Sequence, residues 1–112
     1  MTKHLLITSD TLGDGDEELG ALLMKNFIYS VARHDDKPAR ISFMNEGVRL
    51  CCQGSGSLTD LELLVDAGVH IRACGTCLDF LELSEQLAVG ERGTMPDTVD
   101  ACLSDAETVV IS

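Results

Sequence analysis

Two cysteines stand three positions apart in the stretch "IRACGTCLDF", residues 71–80. Cys74 falls where a short β-rich run, "VHIRA" (69–73), gives way to a helical pattern. A thiol placed at the carboxyl end of a strand and the opening of a helix meets backbone N–H groups and the positive end of the helix dipole. Both favour the thiolate, the reactive form of cysteine. Gly75 permits a tight turn and close approach of a ligand. Cys77 lies one helical turn on, within reach of Cys74. The chemistry open to such a pair is nucleophilic: attack on a disulfide or persulfide sulfur, or cycling between dithiol and disulfide. The same spacing also suits two small buried hydrophobes.

The other thiols do not extend this site into a metal centre. Four thiolates from Cys51, Cys52, Cys74 and Cys77 would resemble a zinc site. Structural zinc takes two spaced C-x-x-C pairs, and the adjacent Cys51 and Cys52 splay their side chains. No metal and no cofactor is therefore expected. Cys102, at helical spacing from Val99, reads as core and as the least reactive thiol. The loop "DTLGDGDEELG" fits neither a dinucleotide fingerprint nor an EF-hand. Its glycines are Gly13, Gly15 and Gly20 with acids between them, and a calcium loop counted from Asp10 would need ligands at Leu12 and Ala21. His4, His34 and His70 form no Ser-His-Asp arrangement.

Alternating elements must position these residues. "HLLITS" (4–9) is a continuous apolar run, as in a strand buried on both faces. Gly13 and Gly15 supply a turn, and acids then suit a helix start. From Asp16 to Arg33, Leu19, Leu22, Leu23 and Phe27 recur at helical spacing, widened by Met24, Ile28 and Val31; this predicts a well-buried helix. "ARISFMN" (39–45) is the second strand. Ser57 starts a helix as its N-cap with Asp60 in the capping-box place, Leu58, Leu61, Leu64 and Val65 form its stripe, and Gly68 ends it. After the third strand (69–73) a helix is expected over 75–83 and a short strand in "LAVGE" (87–91). A helix from Thr94, Pro96 and Asp97 to Leu103 follows, and "ETVVIS" (107–112) is the last strand. This order predicts a mainly parallel sheet of about five strands with helices on both faces. Ligand groups in such sheets gather at the carboxyl ends of strands. That places "SDTLGDG", "NEGVRLCCQGSGS" and "CGTC" at the site.

The chain of 112 residues suits one domain, residues 1–112, and its 45% hydrophobic content argues against disorder. A net charge of −11 repels phosphate backbones, so nucleic acid is not an expected partner. No apolar run reaches a membrane span, and "MTKHLLITSD" is a poor signal peptide. Five cysteines without a secretory signal read as reduced thiols in a cytosol.

The segments "SDTLGDGDEELGALLMKNFIYSV", "FMNEGVRLCCQGSGSLTDLELLVDAGVHIRACGTCLDF", and "AVG" with "TMPDTV" together resemble the DsrE-like domain of YedF-type selenium-metabolism proteins. The resemblance covers nearly the whole chain and is most specific in "GVHIRACGTCLDF". It implies a three-layer α/β/α domain, a homo-oligomer (dimer or trimer), and a cytoplasmic role in passing sulfur as a cysteine persulfide. Cys74 matches the working cysteine of the family's carriers, and Cys77 the second cysteine of the YedF-type subgroup. Asn45 and Gly47 match the turn after strand two, and the loop from Asp10 through Gly13 to Gly15 the first turn. With Gly75, these are the substrate-loop candidates. Thr94 stands where the family has Asn. The chain has no Cys-Pro-x-Pro motif of an N-terminal TusA-like domain, so a separate protein donor and acceptor of sulfur, such as a TusA-like protein, is expected. A thiol–disulfide redox protein using Cys74 and Cys77, and a non-catalytic subunit or binding module, are the other readings.

Overall fold

The computed structural model describes residues 2–112. Five strands, β1 (Lys3–Ile7), β2 (Arg40–Phe43), β3 (His70–Cys74), β4 (Glu91–Gly93) and β5 (Glu107–Ile111), form one sheet in the order β4-β3-β2-β1-β5. Every neighbouring pair is parallel. Helices α1 (Glu17–Arg33), α2 (Leu58–Asp66), α3 (Gly75–Phe80) and α4 (Met95–Cys102) connect them. A 3-10 helix over Asn45–Cys51 follows β2 directly, and a one-turn 3-10 segment occupies Ser84–Gln86. The expected three-layer α/β/α architecture is the observed one.

Strand alternation builds two unlike faces. Leu5, Ile41 and Ile71 lie side by side in register, as do Ile7, Phe43 and Ala73. These buried residues share one core with Met24, Ile28 and Ala32 of α1 and Leu61 and Leu64 of α2. The other face is polar beneath α4. Buried His4 contacts Ser42 Oγ at 2.7 Å and Thr108 Oγ1 at 3.2 Å, and Arg40 pairs with Asp97 of α4 at 2.9 Å. The apolar run at 4–9 therefore hides a buried polar cluster on one side of β1.

Several local expectations hold and several do not. Asp16 caps α1 by accepting the N–H of Leu19, and the Thr94 hydroxyl caps α4 with Pro96 in its first turn. Gly68 (φ +97°) follows α2 in the left-handed region. The capping box does not form: the Ser57 side chain caps nothing, and Asp60 instead meets Arg33 at 2.9 Å. Burial removes the Asp60 carboxylate from water, and a cation on α1 answers it. The buried line of α1 is Gly20, Met24, Ile28 and Ala32. Leu19, Leu22 and Leu23 point to solvent, as does Val65 of α2. α3 stops at Phe80 rather than at 83, where Glu82 adopts a left-handed φ of 59°. The short strand lies at 91–93, beyond the expected 87–91.

Candidate functional site

β2 and β3 end side by side, and the segments that follow them meet at Asn45 and Cys77. Asn45 has a φ of 52°, the left-handed region that Asn tolerates better than most residues. This turn starts the 3-10 helix, and the Asn45 backbone N–H donates to Cys77 Sγ at 3.1 Å. Gly47 lies buried in that helix, and a Cβ there would collide with the carbonyl oxygen of Ile7. Its role is close packing of the 3-10 helix on the end of β1. No other residue type fits without moving backbone.

Cys74 closes β3 and occupies the N-cap position of α3; it is buried at 8% exposure. Cys77, one turn on, is half-buried. Cys74 lies close enough to Cys77 to affect its titration. Burial pushes the Cys77 thiol up from its ordinary value, the Asn45 N–H works against this, and neighbouring Cys74 pushes it further up. Cys77 thus holds its proton more firmly than an exposed thiol does.

Sequence reasoning missed Arg92. Its guanidinium lies over the Cys74–Gly75 junction, where a Cβ on Gly75 would stand 2.8 Å from Nη2 and 3.1 Å from Cζ. Asp79 of α3 grips it with two oxygens, at 3.1 Å from Nη1 and 3.0 Å from Nη2, and Ser84 Oγ accepts from Nη1 at 3.1 Å. Asp79 is held below its usual carboxylate range by these bonds, from Arg92 first and Ser84 second. A Cβ at Gly75 would therefore push the Arg92 guanidinium aside where it crosses the helix start. A lone arginine in "ERG" carries no signal of this in the sequence.

The remaining candidates fall elsewhere. Asp10 lines a cavity of about 410 Å³ with Lys25, Arg49, Gln53 and Ser57, and neither Cys74 nor Cys77 lines it. Gly13 (φ +92°) makes the expected turn and its N–H donates to Ser112 O. Cys51 and Cys52 are buried in and after the 3-10 helix, and Cys52 donates its S–H to Val48 O at 3.2 Å. Burial pushes both thiols up, Cys51 most. Cys102 is half-buried, not core, because α4 buries only Thr98 fully. Among the described residues, no group of three or more His, Cys, Asp or Glu side chains is placed to hold a metal ion. No described helix is long and apolar enough to cross a membrane.

The architecture matches the DsrE-like fold. The YchN protein from E. coli superposes with a TM-score of 0.73 at 18% identity, covering 99% of this chain and 100% of that one. MTH1491 from Methanobacterium thermoautotrophicum, a protein of unknown function, superposes with a TM-score of 0.63 at 17% identity, covering 98% and 99%. At these identities the likeness is one of fold. No protein-family profile and no curated protein sequence matches the chain.

Proposed function

We propose that this protein is a cytoplasmic persulfide carrier in a sulfur or selenium relay, with Cys74 as the sulfur acceptor. The observation that carries this reading is the thiol pair itself: Cys74 at the end of β3 and the start of α3, with Cys77 one helical turn on and its sulfur held by the Asn45 backbone N–H. The resemblance of "GVHIRACGTCLDF" to DsrE-like carriers supports it.

In the proposed reaction the Cys74 thiolate attacks the outer sulfur of a donor protein's persulfide. The donor S–S bond breaks, the donor leaves as a thiolate, and Cys74 holds the terminal sulfur. An acceptor protein's thiolate then attacks that terminal sulfur, and Cys74 leaves as thiolate. Cys77 supplies a second exit. Its deprotonated sulfur can attack Cys74 Sγ, forming the Cys74–Cys77 disulfide and releasing hydrosulfide. The two cysteines are oxidised, the carried sulfur is reduced, and an external dithiol restores the pair. The same geometry favours a second reading, a thiol–disulfide redox protein that cycles this disulfide and retains no sulfur.

Incubation with a cysteine desulfurase and cysteine distinguishes the two. A carrier gains the mass of one sulfur atom on the Cys74 peptide, a reductant removes it, and Cys74→Ser abolishes it. A redox protein gives the disulfide alone. Absence of added sulfur in both wild type and Cys77→Ser, while a known carrier is loaded beside them, would end the carrier reading.

A further inference from the structure

The cavity of about 410 Å³ lies apart from the thiol pair, at the start of α2. The loop 53–57 forms one wall, Lys25 of α1 stands on another, and Asp10 and Arg49 complete the lining. Ser57 holds the N-cap position of α2 without capping it: the residue is only 2% exposed, and its hydroxyl bonds to no protein group. Among the described residues, no side-chain oxygen or nitrogen is both closed off from solvent and unbonded. The Ser57 hydroxyl therefore opens into the cavity that Ser57 lines. Backbone donors are free in the same place. Gly54 and Gly56 of the lining, and Leu58, Thr59 and Asp60 in the first turn of α2, have N–H groups with no acceptor in the protein. The Ser55 hydroxyl accepts the Ser57 N–H at 3.1 Å, which leaves its own proton to donate. Lys25 belongs to no ion pair among the described residues. Its Nζ lies over Gly56, 3.6 Å from where a Cβ would stand.

We propose that this cavity binds a phosphate-type oxyanion, with the hydroxyls of Ser55 and Ser57, the Lys25 ammonium and the N-terminus of α2 as its donors. Free N–H groups and the positive end of the dipole at a helix start favour such an anion. Side-chain charge alone does not select it. Glu46 pairs with Arg49, and Asp10 in the lining offsets Lys25. The attraction comes from convergent hydrogen-bond donors, which are strongest toward a charged acceptor. Elsewhere the net charge of −11 repels anions, so the site is local. A water molecule's share of liquid volume is about 30 Å³, and a single oxyanion displaces only a few waters. The cavity therefore has room, beside Ala21 and Leu50, for the organic part of a phosphate monoester. Neither Cys74 nor Cys77 takes part, and the proposal does not rest on the carrier reading.

Isothermal titration calorimetry at constant ionic strength tests this, with inorganic phosphate and glycerol 3-phosphate as probes. Saturable binding at one site is expected, and tighter binding of glycerol 3-phosphate identifies an ester rather than the free ion as the ligand. Ser57→Ala and Lys25→Ala each remove a donor to a charged acceptor and are each expected to weaken binding about tenfold. Asp10→Asn removes a like charge and is expected to tighten it. Lys3→Ala, in an exposed pair with Glu107 away from the cavity, is expected to leave it unchanged. Far-UV circular dichroism matching wild type shows that each variant is folded. No saturable binding of either probe to wild type, or binding that Ser57→Ala or Lys25→Ala leaves intact, overturns the proposal.

Discussion

Cys74 and Cys77 lie one helical turn apart and differ in what else touches them. Only Cys77 receives a backbone N–H, from Asn45, and only Cys74 is bound into a strand. If Cys77 is the internal exit for carried sulfur, Cys77→Ser lengthens the life of the Cys74 persulfide severalfold, followed by mass analysis after the donor is removed. A persulfide decaying at the wild-type rate would deny Cys77 that part. The other thiols rank by burial. Cys51 is fully buried and its thiol is pushed well up, so it should react last with a limiting alkylating agent in the folded protein, after half-buried Cys102. Peptide mass analysis after partial labelling gives the order, and Cys51 labelled ahead of Cys102 would contradict it. The placement of Cys74 and Cys77 at a strand end and a helix start was legible in the sequence because an apolar run, a glycine and a helix pattern coincide there. Arg92 was not, since its contact with Gly75 joins neighbouring strands β3 and β4, and sequence spacing does not report strand adjacency.

At the scale of elements, the 3-10 helix over Asn45–Cys51 is the piece that brings strand two to the cysteines. Its position depends on Gly47 lying against the Ile7 carbonyl. Gly47→Ala forces backbone apart there and should cost about 2 kcal/mol, a fall in Tm of roughly 10 °C. Cys77 should also become easier to alkylate as the Asn45 N–H withdraws. A variant melting with wild type would show that the contact is not tight. The four longer strands and the four helices were legible, because period-two and period-3.6 patterns and the signals Asp16, Thr94 and Gly68 are local, while the short β4 was expected too early in the chain. The 3-10 helix was not: "NEGVRLCC" has the residues of a loop, and a left-handed Asn45 turns it into helix. The buried side of α1 was also misread. Leucines on a core face and leucines on an exposed face have the same periodicity, so Leu19, Leu22 and Leu23 could not be told from Met24 and Ile28 by pattern alone.

For the whole molecule, the polar face of the sheet makes stability depend on pH. Burial and, to a lesser degree, the nearby Arg40 hold His4 below its ordinary value of 6.5. Arg40 Nε donates to Ser42 Oγ, which leaves the Ser42 hydroxyl proton free for His4 Nε2 and the ring proton on Nδ1 toward Thr108. A neutral ring suits this cluster. As pH falls through about 6.5 the unfolded chain takes up a proton that the folded chain resists. The contribution is therefore complete above that pH and is lost progressively below it. Tm should drop by a few degrees between pH 7.5 and 5.5, and by less in His4→Gln, whose side chain does not titrate. Equal slopes for the two proteins would place the acid sensitivity elsewhere.

The strand order has a consequence for how the chain reaches this state. β1 lies between β2 and β5, so the first strand is completed by residues 107–111, about a hundred positions away. During synthesis, one edge of β1 stays open until nearly all of the described chain has emerged, and an open apolar edge invites pairing with another chain. Closing so large a loop before its contacts form makes folding slow, on the scale of milliseconds to seconds. Removing residues 107–112 should leave β1 as a bare edge next to the core. That shortened chain should aggregate at concentrations where the whole one stays clear by light scattering, with Cys74 and Cys77 still present and the sheet around them unfinished.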